Sequence, residues 1–113
     1  MDERAREFTL VVERCAEALR FEAGYDPSRW TRMVHYHGAV NAARLWLSPE
    51  FDASVELNTL AEDDRLDQSV EWFALVYFDL FAPQQRQEAH RRLRSHGSPV
   101  DQWLSKRLSR KYA

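Results

Sequence analysis

Four histidines are the side chains of this sequence that could most directly hold a metal ion or transfer a proton. His35 and His37 stand two positions apart, and His90 and His96 stand six apart. Helices that bind zinc place their ligands three or four residues apart, so that both reach one ion. The sequence around His35 and His37 has helical spacing, which points two such side chains about 200° apart. Because the chain also has only one cysteine, we predict no metal site and interpret the histidines as surface or half-buried residues.

The densest group of carboxylates lies between positions 62 and 71. It comprises Glu62, Asp63, Asp64, Asp67 and Glu71. A metal-dependent nuclease needs converging carboxylates, often with a lysine, and the nearest lysine is Lys106. The paired acids of a glycosidase need a cleft, which a small helical bundle rarely offers. Since the sequence also has no phosphate-binding loop and no nucleophile elbow, we predict a protein that is not an enzyme, with no catalytic residue and no cofactor.

These carboxylates leave two other interpretations open. One is a solvated surface that also caps helices, with Asp67 and Glu71 four residues apart on one helical face. The other is a surface that binds a basic partner protein. We call the four residues of that surface the acidic edge: Glu62, Asp63, Asp64 and Asp67.

The charge is divided unequally along the chain. Residues 1–83 contain 16 acidic and 8 basic residues, whereas residues 84–113 contain 2 acidic and 8 basic residues. Clustered positive charge is what binding to phosphates requires. The alternative function is therefore nucleic-acid binding through the last two helices, by Arg91, Arg94, Arg107 and Lys111. Basic residues near helix C-termini also favour the helix dipole, and they can pair with the acidic half of the same molecule.

The single cysteine, Cys15, lies within an apolar stripe of the first predicted helix. Because of this position in the stripe, we interpret it as a small buried hydrophobic residue rather than a reactive thiol. No apolar run approaches the roughly 20 residues that span a bilayer. The N-terminal segment, MDERARE, does not resemble a signal peptide. We expect a cytoplasmic protein that does not contact membranes.

Helical periodicity and capping residues divide the chain into segments. The first helix runs from Asp2 to Glu22 and ends at Gly24. Asp26 and Pro27 begin the second helix, which continues to Leu47. Gly38 interrupts that helix, either as a kink or as a point where two helices touch closely.

The second half of the chain contains helix starts and ends of the same kinds. Ser48 and Pro49 begin a new turn, and a helix follows from about Ser54 to Leu60. The helix from Pro83 ends at Gly97. Ser98 and Pro99 begin the last helix, whose apolar residues are Val100, Trp103, Leu104 and Leu108.

The most apolar segment runs from Val70 to Phe81, where only Glu71 and Asp79 are charged. A helix that is apolar on nearly every side is normally surrounded by other helices. We predict a single all-α domain over residues 1–113, a compact bundle of five or six helices around this central helix. Asp67 is the expected cap, and the expected inward side chains are Trp72, Phe73, Val76 and Phe78.

Residues 37–93 resemble an uncharacterised small helical module of bacterial proteins. The first shared residues are Gly38, Ala39, Ala42, Ala43 and Leu45. The second group is Arg65, Leu66, Asp67, Ser69, Val70 and Glu71, and the third is Leu80, Phe81, Ala89, Arg92 and Leu93. The resemblance implies a shared fold and an association with restriction or other defence proteins, and it transfers no catalytic residue.

Together these observations predict a protein-interaction module without enzyme activity. The resemblance implies an accessory, immunity or antitoxin-like component of a bacterial defence system. Its expected partner is another protein, such as a toxin, a nuclease subunit or a second copy of this chain.

Overall fold

The protein is entirely α-helical over the residues that the structure describes. The computed structural model describes residues 3–22 and 25–112, with side chains as far as Arg107. The helices are α1 Glu3–Glu22, α2 Ser28–His37, α3 Ala39–Trp46, α4 Ser54–Glu62, α5 Val70–Val76, α6 Pro83–Ser95 and α7 Val100–Tyr112. Short 3-10 turns, Leu66–Gln68 and Phe78–Leu80, flank α5. The predicted all-α class is confirmed, with seven α-helices in this part of the chain rather than five or six.

One extra helix arises at Gly38, where the second predicted helix divides into α2 and α3. Gly38 has a φ of +78°, a conformation that residues with a side chain rarely adopt. A Cβ atom placed there would have no neighbour within 4 Å. Gly38 is therefore a kink, and the alternative of a close contact between helices is wrong.

The predicted capping signals have mixed outcomes at the helix starts. Asp26 accepts a hydrogen bond from the backbone N–H of Ser28 at 3.0 Å, but it is not the cap of α2, because Pro27 occupies the cap position and the helix begins at Ser28. The cap of α5 is Ser69, whose Oγ accepts from the N–H of Trp72 at 3.1 Å. The prediction that Asp67 caps this helix is wrong, because Asp67 lies within the 3-10 turn Leu66–Gln68 that precedes the cap residue Ser69. The hydroxyl of Ser98 is buried without a hydrogen-bond partner, so it does not cap α7.

The end of α6 follows the prediction at Gly97. Its φ is +87°, and its N–H donates to the carbonyl of Arg94 at 3.0 Å while that of Ser98 donates to the carbonyl of Leu93 at 3.0 Å. These two bonds form a Schellman motif, which satisfies carbonyls that the helix end leaves free. The other predicted glycine stop, Gly24, lies outside the described residues.

Much of the buried core lies on helices other than α5. In α3, half of the residues are buried, namely Ala39, Ala42, Ala43 and Trp46. By contrast α5 ends at Val76, and Trp72, Phe73 and Val76 are only half-buried. Phe78 is 55% exposed. The small side chains of α3 allow neighbouring helices to approach it closely. The bulky side chains of α5, by contrast, remain partly exposed to solvent.

Aromatic contacts connect α1 and α7 to this core. The Phe8 ring packs edge-on against Tyr77 and Phe81, with ring centroids 5.7 and 5.5 Å apart. Trp72 on α5 packs edge-on against Trp103 on α7 at 5.3 Å. The long N-terminal helix is therefore held by the same segment that was predicted to be the centre of the bundle.

None of the helices described is long and apolar enough to cross a membrane.

Phe8→Ala should reduce the free energy of unfolding by about 3–5 kcal/mol, because it leaves a large cavity in the core. Phe78→Ala is the matched control and should cost about 1 kcal/mol, since roughly half of that ring already contacts water. Urea denaturation followed by circular dichroism measures both values. Equal losses for the two variants would contradict this assignment of the core.

Candidate functional site

The acidic edge lies at the turn between α4 and α5. The chain reverses at Asp64, which has a φ of +54°. There the N–H of Asp64 donates to the carbonyl of Ala61 at 3.2 Å, and that of Arg65 donates to the carbonyl of Leu60 at 2.8 Å. Asp tolerates this left-handed conformation better than most residues with a side chain. The turn leaves all four side chains of the acidic edge exposed: Glu62, Asp63, Asp64 and Asp67.

Arg65 is the basic side chain within this turn, and it is already bound. Its guanidinium donates to Asp63 and to Glu22, the latter at 3.0 Å. Glu22 lies at the C-terminal end of α1, so the ion pair brings another exposed carboxylate beside the acidic edge. Sequence reasoning missed Glu22, because it is 43 residues from Arg65 and no local pattern connects them.

Glu71 does not belong to this surface. It is 1% exposed, and its Oε2 accepts from the indole N–H of Trp46 at 3.1 Å and from Arg92 at 3.0 Å. Burial raises the pKa of Glu71, while Arg92 and the other donors oppose that rise. The interpretation that Asp67 and Glu71 share a solvated helical face is therefore wrong.

Arg92 is also internal. The residue is 5% exposed. Besides Glu71, its guanidinium donates to Glu88 at 2.7 Å and to the carbonyl oxygens of Trp46, Ser48 and Phe51 at 2.8, 2.8 and 3.0 Å. An arginine can be buried at acceptable cost when carboxylates and carbonyls satisfy its donors in this way. It ties α6 to α5 and to the turn that follows α3.

The residues proposed for nucleic-acid binding are not equivalent. Arg91 is exposed but donates twice to Glu88, with one N–O distance of 3.0 Å. Arg94 and Arg107 are exposed, whereas the side chain of Lys111 lies outside the described residues. Arg86 also turns inward and donates to the carbonyl oxygens of Phe78 and Phe81 at 3.0 and 3.1 Å.

The four histidines occupy separate places. His35 and His37 are exposed on α2. His90 lies 3.0 Å from a carboxylate oxygen of Asp101, and His96 lies 3.0 Å from the side-chain oxygen of Asn58. Across the residues that the structure describes, no three metal-ligating side chains come together.

Cys15 is half-buried, and its thiol lies 3.4 Å from the carbonyl oxygen of Gln68. Burial is the main cause that raises its pKa to about 11, and the negative charge of Asp67 adds to the rise. A raised pKa leaves little of the nucleophilic thiolate near neutral pH.

A groove between α1 and α2 was not anticipated from the sequence. It encloses about 290 Å³. The side chains that line it include Glu13, Ala16, Glu17, Arg20, Trp30 and Val34. The helical spacing of Glu13 and Glu17 was the available signal, but the sequence did not reveal which helix would pack beside them.

Comparison with protein families, curated proteins and solved structures finds no match to this chain.

Arg92→Ala should lower the free energy of unfolding by about 3–5 kcal/mol, because it leaves the buried carboxylate of Glu71 without its cation. Arg94→Ala is the matched control on the same helix and should change stability by less than about 0.5 kcal/mol, since that side chain is exposed. Chemical denaturation of both variants is the measurement. A loss below about 1 kcal/mol for Arg92→Ala would contradict the role given to this ion pair.

Alkylation of Cys15 by iodoacetamide at pH 8 should be slow in the folded protein. A thiol with a pKa of about 11 has about one hundredth of the thiolate of a thiol with the ordinary value of 9.0. The rate should therefore rise about 100-fold when the same protein is unfolded in urea at the same pH. Mass spectrometry follows the reaction, and similar rates in both states would refute the raised pKa.

Proposed function

We propose that this chain is a non-enzymatic protein-interaction module that binds a basic partner protein through the acidic edge. The observation that carries the proposal is the exposure of Glu62, Asp63, Asp64 and Asp67 on one turn. Arg65 neutralises only part of this charge, and it brings Glu22 to the same place. Such a concentration of one sign of charge steers and orients a partner of opposite sign.

The buried carboxylates support a role without catalysis. Glu71 and Glu88 both bind Arg92, and Glu56 binds Arg29 with N–O distances of 2.7 and 2.9 Å. A general acid or base must reach a substrate and exchange a proton with it. Carboxylates held by a guanidinium inside the fold are better explained as structural ion pairs.

Nucleic-acid binding by Arg91, Arg94, Arg107 and Lys111 is the competing proposal. Of these, Arg94 and Arg107 are exposed and are not engaged with a carboxylate in the part of the chain described. Arg92 and Arg86 are used within the fold, and Arg91 is bound to Glu88. Since phosphate binding draws on several cations at once, we favour the acidic edge.

The biological setting that we propose rests on the resemblance of residues 37–93 to a bacterial helical module. It places the chain in the bacterial cytoplasm, as an accessory, immunity or antitoxin-like component of a defence system. The partner would be a basic toxin, a nuclease subunit or a second copy of this chain.

Glu62→Lys combined with Asp67→Lys should slow association with the partner about tenfold, because reversing charge removes electrostatic steering. These two positions are preferable to Asp64, whose positive φ disfavours lysine. The partner is first identified by crosslinking and mass spectrometry in cells that express the chain, and its association rate is then measured by surface plasmon resonance.

The matched control is Glu3→Lys combined with Glu50→Lys, which changes the net charge equally at exposed sites away from the acidic edge. Equal slowing by both pairs would reveal a net-charge effect and contradict a specific surface. Submicromolar binding to DNA or RNA at physiological salt, lost in Arg94→Glu with Arg107→Glu, would instead establish the competing function.

A further inference from the structure

We draw no further inference here: the strongest candidate, the groove between α1 and α2, is lined by acidic and basic side chains beside apolar ones, and nothing in the described structure shows what covers it.

Discussion

The buried guanidinium of Arg92 is the interaction on which the arrangement of the helices depends. It lies on α6 and reaches Glu71 on α5 as well as three carbonyl oxygens, one at the end of α3 and two in the segment that follows it. Moving such an ion out of water costs several kcal/mol, and the cost is recovered only when nearly all of its donors are satisfied. Because its acceptors come from parts of the chain that are 21 to 46 residues away, Arg92 has this environment only when those segments are correctly assembled.

The same use of arginines inside the fold accompanies an excess of exposed carboxylates at the α4–α5 turn. Arginines that donate to carboxylates or carbonyls of the same chain include Arg29, Arg44, Arg86, Arg91 and Arg92. Their guanidinium groups therefore interact with buried or partly buried acceptors of the same chain. Carboxylates at the surface, such as Glu13, Glu17 and Asp67, keep their charge without an ion pair among the described residues. The binding surface that we propose is therefore formed by residues other than those that hold the core together.

Local signals in the sequence predicted the features that local interactions control. The end of α6 at Gly97 and the exposure of the acidic edge each depend on residues within a few positions. The burial of Glu71 and Arg92 could not be predicted this way, because a charged residue is buried only when a distant partner is present. The partial exposure of the apolar run from Val70 could not be predicted for a related reason. Composition gives the amount of apolar surface, whereas the packing of α6, α1 and α7 against α5 decides which part of that surface is covered.

This division of roles determines how charge substitutions should be interpreted. A change at Arg92 or Glu71 alters interactions between helices, so its effect on binding cannot be separated from its effect on folding. Exposed carboxylates such as Glu62, Asp67 and Glu13 make no ion pair with the described part of the molecule, and replacing them leaves the core contacts in place. Because stability and surface charge reside in different residues, a loss of binding at these positions would report on the partner itself. Substitutions on the acidic edge therefore test the proposed interaction without disturbing the helices that support it.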